Sequence, residues 1–457
     1  MERLMNKIIF AKFLVILFVS NYLCSAELCS LDHAIVGIYV MDSSTGKVLV
    51  EKNSELSLIP ASCMKIVTTG AALHILGPEF SFETKLEYDG WIDEEKTLHG
   101  NLYIKGGGDP CLGSDRIAGS LPWEKQIELW TQAVKDTGIL KIEGKVCADA
   151  TSWEKALAVP SWTWEDLGNY YGAGASALSF HENSYSLFFK PGDVIGKEAS
   201  ILRTDFPLPS LSFQNEVKTG PEGSGDQSCI YGSEFSPMQA IRGTIPFGVK
   251  EFSIKGAIPD PATTCAALLE KGLQENGIAI SQKDRPFQER RVGVHTTYSP
   301  KLQDIVYETN QKSINLYAEH LVKKMGEVVC KEGSTQAGVK AVKDFWLSQN
   351  LDLSGFNMVD GSGLSRKNLI TAKQLVFMLL KMKKSLVFPV FVASLPQKEN
   401  AIRAKSGTMS LIKGYTGFIG DMAFAIVINQ CPEPKILNQA IQDFFSHLND
   451  LNKKSVE

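Results

Sequence analysis

Strand signals at both ends of this 457-residue chain constrain its fold more than any other feature, because they predict one sheet whose strands lie hundreds of residues apart. Alternating, β-branched residues over 34–40, the Ser-Ser-Thr-Gly turn at 43–46 and the apolar run 48–50 predict a hairpin near the start. Near the end, 402–408 and 417–429 read as two strands, the second containing the apolar run 422–428, and 436–451 reads as an amphipathic helix. If strands from both ends join one sheet, the middle of the chain is an insertion.

The middle has the texture of one. Residues 85–291 carry short strand-like runs at 102–104, 143–146 and 185–189, two helical stretches at 123–135 and 262–274, and frequent Gly, Pro and Asp between them. They read as one or two mostly β inserted domains. Between 315 and 380 the pattern is helical, clearest at 316–329 and 371–382, around the turn Asp360-Gly361-Ser362-Gly363. The expected division is a leader over 1–26, a catalytic domain in two parts, 27–84 and 292–457, and an insertion over 85–291. The expected class is α+β.

Arg3, Lys7 and Lys12, the apolar run 13–19 and the small residues Cys24-Ser25-Ala26 form the pattern of a signal peptide cut after Ala26. An uncleaved anchor is the alternative, although the run falls short of the roughly 20 apolar residues a span needs. The chain is therefore expected to be exported. Its net charge is only -4 and it has no dense run of Lys and Arg, which excludes a nucleic-acid binder. Nine cysteines include no Cys-x-x-Cys pair, against a zinc ribbon or a thioredoxin-type site; export permits disulfides, and their pairing stays open. Neither His-Glu-x-x-His nor Gly-x-Ser-x-Gly occurs, which removes the zinc peptidase and α/β-hydrolase readings. Gly172 to Ala177 fits a dinucleotide pattern only loosely, and Gly106 to Asp109 lacks the Gly-Lys-Ser/Thr of a phosphate loop. No cofactor or metal is expected.

The chemistry begins at Ser62-Cys63-Met64-Lys65, where Pro60 precedes and an apolar, helix-length run follows as far as Gly77-Pro78. One helical turn puts the Lys65 amine within reach of the Ser62 hydroxyl, so a nucleophile can be made without histidine. Ser-x-x-Lys recurs at Ser44, Ser152 and Ser410, but only the Ser62 copy opens a helix that can be buried. Cys63 reads as a small buried side chain. Acyl transfer also needs a proton relay and substrate ligands. Ser313-Ile314-Asn315, at a helix start, offers both; Ser348 to Asn350 has the same spacing without the helix start. For a cation on a strand, Lys405-Ser406-Gly407-Thr408 is favoured over the literal Lys218-Thr219-Gly220, which runs into the loop-like 221–225.

Taken together, Ser62/Lys65, Ser313/Asn315 and Lys405/Ser406/Gly407 resemble the three motifs of the penicillin-binding protein and serine β-lactamase superfamily. The long stretch between the first two motifs, with Gly106-Gly107-Gly108-Asp109-Pro110, residues 255–261, Ser313 to His320 and Asp360 to Arg366, is similar to the class C low-mass members, D-Ala-D-Ala carboxypeptidase/endopeptidases of the penicillin-binding protein 4 type. The resemblance implies a split β-lactamase/transpeptidase-like domain, an antiparallel sheet with flanking helices, interrupted by inserted domains. It implies cleavage of peptidoglycan stem peptides, inhibition by β-lactams, and a periplasmic place at the cell wall or membrane periphery. Carried over, Ser62 is the nucleophile, Lys65 its base, Ser313 the proton shuttle and Asn315 a substrate ligand. Lys405, Ser406 and Thr408 hold the terminal carboxylate, Gly407 lets substrate approach the strand, and the amides of Ser62 and Thr408 form the oxyanion hole. Ser406 departs from the usual threonine by a methyl. Asp166, in the insertion, is a candidate to meet an ammonium group of the stem peptide. A β-lactamase or esterase of the same superfamily, and a non-catalytic cell-wall binding protein, are the alternatives.

Overall fold

The computed structural model describes residue 31 and residues 33–456, apart from 287, 289 and 399–401. The leader segment lies outside the described residues, as does Cys29.

Five strands from the two ends of the chain form one antiparallel sheet: β1 (Ile35–Asp42), β2 (Val48–Lys52), β3 (Arg403–Met409), β4 (Ile412–Ile419) and β5 (Met422–Asn429). Their order is β3-β4-β5-β1-β2, so β5 pairs with β1 from Ile35 opposite Asn429 to Asp42 opposite Met422. All eight residues of β5 are buried, and the alternation of a strand explains how. Ala423, Ala425 and Val427 face a core of helices, whereas Met422, Phe424, Ile426 and Ile428 face Leu437, Ile441, Phe444 and Leu448 of the C-terminal helix Pro434–Val456.

Where 402–429 was expected to hold two strands, it holds three. The missing one is β4, entered and left by two-residue turns in which Leu411 (φ 68°) and Gly420 (φ 54°) take the left-handed conformation. Ser410-Leu411 carries no hairpin signature, so the first turn is silent in the sequence.

Four helices pack on the β1–β5 sheet's other face or beside it: α1 (Met64–Ile75), α2 (Asn315–Cys330), α3 (Thr335–Ser348) and α4 (Ala372–Lys383). Trp346 of α3 is fully buried and donates its indole N–H to the Val67 carbonyl of α1, 3.1 Å away. Thr371 caps α4 through the Gln374 N–H.

Between the two halves lie four smaller sheets with a core of their own. One contains Glu83–Asp89 paired antiparallel with Arg291–Tyr298, so the chain leaves and returns along a single strand pair that crosses both expected boundaries. The strand expected at 143–146 is a correction. The chain pairs at Lys141–Ile142 and again at Val146–Asp149, in different sheets, and Gly144 makes the crossing because a Cβ there would lie 2.3 Å from the Gly100 carbonyl oxygen. Lys218 lies within a real strand, Ser212–Gly220, but its side chain is exposed in one of these outer sheets. The seven cysteines among the described residues are unpaired, and no helix among those residues is long and apolar enough to cross a membrane.

Candidate active site

Ser62 lies in the short turn Ala61–Cys63 that feeds α1. Ala61, fully buried, takes φ 48°, a strained backbone that the surrounding packing must impose. Lys65, one turn on, is completely buried. Its Nζ lies 2.9 Å from Ser62 Oγ, 2.6 Å from Asn315 Oδ1 and 2.7 Å from the Ser362 carbonyl oxygen. The last two partners only accept. Two amine hydrogens are therefore committed to them, and the third direction, towards Ser62, holds either the remaining hydrogen or the nitrogen lone pair. Burial, helped by the nearby charge of Lys405, drives the Lys65 amine well below the usual lysine range, while Glu319 and Asp360 pull it back up. A neutral amine in that position points its lone pair at a serine hydroxyl.

Ser313 precedes α2 with φ 58°, a second strained position in the same cleft. Its Oγ accepts from Lys405 Nζ at 2.9 Å, and Lys405 also donates to the Ser406 carbonyl at 2.7 Å. Lys405 is buried, and that burial lowers its amine to about 8. Strand β3 is the edge of its sheet and lies directly against the Ser62 turn. A Cβ on Gly407 would sit 2.4 Å from the Pro60 carbonyl oxygen and 3.0 Å from Cys63 N. Cys63 fills the seam, its thiol 3.6 Å from the Lys405 carbonyl; burial pushes it up to about 12, which leaves it inert. Along β3, Ser406 is half-buried and Thr408 exposed.

Ser62, Lys65, Ser313, Asn315 and Lys405 are thus joined through two lysine-centred sets of hydrogen bonds, linked by the two-residue step from Ser313 to Asn315. Lys218 and the Ser348–Asn350 pair take no part: the first is exposed in an outer sheet, and Ser348 ends α3 instead of preceding a helix. Asp166 is not bonded to this group. Its Oδ2 accepts from the Thr163 N–H (3.0 Å) and hydroxyl (2.6 Å) at the start of the short helix Trp164–Leu167. The insertion reaches the cleft elsewhere, where the Tyr171 carbonyl accepts from Asn315 Nδ2 at 2.8 Å.

Three contributors escaped sequence reasoning. Ser362 acts through its carbonyl, which no side-chain pattern reports. Glu319 is buried and accepts from the N–H groups of Gly361 (3.0 Å) and Ser362 (2.8 Å). Asp360, fully buried, takes N–H bonds from Gly363 (2.8 Å), Ser365 (2.6 Å), the Asn368 amide (2.7 Å) and the Trp162 indole (2.9 Å), tying the insertion to the cleft floor. The sequence signal for both was their place inside the stretches 313–320 and 360–366. Among the described residues no group of His, Cys, Asp and Glu is arranged to hold a metal ion.

The model of the D-Ala-D-Ala carboxypeptidase 3 (S13) family matches residues 24–448. The D-alanyl-D-alanine carboxypeptidase of Actinomadura sp. (strain R39) is 27% identical over 448 residues, covering 91% of this chain and 81% of that protein. The D-alanyl-D-alanine carboxypeptidase DacB of Haemophilus influenzae is 25% identical over 352 residues, 75% of this chain and 70% of its own. The crystal structure of penicillin binding protein 4 from Haemophilus influenzae has the same fold, with a TM-score of 0.78 at 21% identity over 93% of this chain and 99% of that one. The same protein complexed with a β-lactam gives 0.75 at 20% identity, again over 93% and 99%.

Proposed function

This chain belongs to the D-Ala-D-Ala carboxypeptidase 3 (S13) family, and on that footing we propose that Ser62 removes the terminal D-alanine of peptidoglycan stem peptides through an acyl-enzyme. The observation that carries the assignment to Ser62 is the Lys65 amine, buried, held by two carbonyl acceptors and 2.9 Å from the Ser62 hydroxyl.

As Ser62 Oγ attacks the penultimate D-alanine carbonyl, its proton passes to Lys65. The backbone amides of Ser62 and Thr408 receive the oxyanion. Lys65 returns that proton by way of the Ser313 hydroxyl to the departing D-alanine amine, so both groups end as they began; Lys405 with Ser406 and Thr408 holds the terminal carboxylate, and Gly407 keeps the β3 edge open to an extended peptide. Asn315 turns its amide from Tyr171 to the substrate backbone. Water then hydrolyses the ester. A β-lactam acylates the same serine, but its leaving amine stays tethered to the adduct. Asp166 has one carboxylate oxygen committed to Thr163, and its other oxygen is the candidate for a stem-peptide ammonium. The catalytic unit comprises 27–84 and 292–457 with 85–291 inserted, the two junctions lying within the strand pair Glu83–Asp89 and Arg291–Tyr298, and the protein works in the periplasm after export.

Incubation with benzylpenicillin should give one adduct, on the peptide containing Ser62 by mass spectrometry, and monomeric muropeptides should release free D-alanine. An adduct that persists in Ser62→Ala, or no D-alanine from any muropeptide, rules the assignment out. Lys405 supplies a second test. Only its ammonium form attracts a carboxylate, and that form is lost as pH rises through about 8. The value of kcat/KM, which reports the free enzyme, should therefore fall on the alkaline side with a midpoint near 8. Lys405→Met should abolish that limb and cost about 10²-fold, the worth of a charged hydrogen bond. An alkaline limb unchanged in Lys405→Met assigns it to another group.

A further inference from the structure

Lys65 is aimed by a backbone carbonyl, and a backbone carbonyl must itself be held. The Gly361–Ser362 peptide is gripped on both sides. Glu319 of α2 takes the Gly361 and Ser362 N–H groups on its two carboxylate oxygens, at 3.0 and 2.8 Å. Thr68, one turn beyond Lys65 on α1, donates to the Gly361 carbonyl at 2.7 Å. Gly361 lies so close to α2 that a Cβ would meet Val322 Cγ2 at 2.5 Å and the Ala318 carbonyl at 2.7 Å. The Ser362 carbonyl belongs to the next peptide, whose Gly363 N–H is held by Asp360 Oδ1 at 2.8 Å, and Lys65 Nζ donates to it at 2.7 Å.

We propose that Glu319 is a positioning residue for Lys65, holding the backbone at Gly361 and Ser362 so that the Ser362 carbonyl meets the amine beside Ser62, and setting an acidic group near that amine. This role rests on the serine–lysine reading above. A purely space-filling residue would not be acidic, since burying a carboxyl group costs free energy that an apolar side chain avoids. Glu319 has something to do with its charge. It draws the Lys65 proton affinity upward, against burial and against the positive charge of Lys405 on β3. Asp360, from the loop, acts on Lys65 in the same sense; Cys63, from the turn before α1, also faces it but keeps its proton up to about 12 and carries no charge at working pH. Burial and the neighbouring Asp360 push the Glu319 carboxyl upward while the Gly361 and Ser362 N–H groups hold it down, and Lys323 of the same helix is another cation it influences.

The test is the pH dependence of acylation by benzylpenicillin, separating non-covalent affinity from the acylation rate, with thermal melting alongside. In Glu319→Gln the negative neighbour is gone, so Lys65 loses its proton more easily and the acid limb should move to lower pH by about one unit, the shift expected from a single nearby charge. The maximal acylation rate should drop about tenfold or more, with penicillin affinity little changed. In Glu319→Asp the charge remains but the shorter side chain cannot span both N–H groups; the acid limb should stay while the acylation rate falls. An acid limb in Glu319→Gln that coincides with wild type overturns the proposal, whatever the melting temperature does. If Glu319→Gln does not fold, an Asp variant that acylates at the wild-type rate overturns it instead. A wild-type protein that penicillin leaves unmodified removes the serine–lysine reading and this role with it; the variants' failure alone removes only Glu319.

Discussion

Lys65→Ala is expected to slow acylation of Ser62 by about 10³-fold or more, the range seen when a positioned general base is taken from a nucleophile. The reason lies in the distances. Lys65 is the amine in hydrogen-bond contact with the hydroxyl, at 2.9 Å, and Cys63 next to Ser62 is a buried thiol that holds its proton up to about 12. Lys65→Arg should lose as much, although it keeps a positive charge and a donor, because a guanidinium does not give up its proton at any working pH. Agreement between the two variants would separate loss of a base from loss of packing. Circular dichroism should show both folded: the Ala variant orphans two acceptors, Asn315 Oδ1 and the Ser362 carbonyl, but it also relieves the burial of an amine. Stopped-flow acylation within tenfold of wild type in either variant would falsify the assignment of Lys65 as base.

Asp360→Ala should be the most destabilising of the polar substitutions, by about 3–5 kcal/mol. Its carboxylate is fully buried and is the acceptor for two backbone N–H groups, an amide and an indole. Removing it strands four donors at once, and Trp162 loses its polar tie to the cleft floor. Asp360→Asn keeps the shape but turns one acceptor into a donor facing donors, and should cost about half as much. Urea denaturation followed by tryptophan fluorescence measures both; a midpoint for Asp360→Ala equal to wild type would show that water takes the place of the carboxylate.

What could be read from the sequence was whatever is periodic and local. Helix α1 with its serine and lysine, α2 after Asn315, α4, and strands β1, β2, β3 and β5 all declare themselves through spacing and flanking breakers. Strand β4 did not, because its turn depends on Leu411 adopting a conformation that leucine seldom takes. Strand context was a weaker guide than it looked, since Lys218 also lies in a strand; burial and the contact with Ser313 distinguish Lys405, and neither is visible in one dimension. Asp166 read as a candidate ligand for a substrate ammonium, yet one of its oxygens is bound to Thr163. Glu319, Asp360 and the Ser362 carbonyl belong to the same class: their roles come from tertiary burial, which joins residues from α2, a loop and the insertion.

The pairing of β1 with β5 also sets a timetable. Chains emerge from the ribosome, and through any export channel, from the first residue onward, and distant strand pairs form late. Ile35 waits for Asn429 before its sheet can close, and Ser62 waits for Lys405. A cleft split between the two ends of the chain is therefore silent while the chain is still being made: its parts meet only when the last strands arrive.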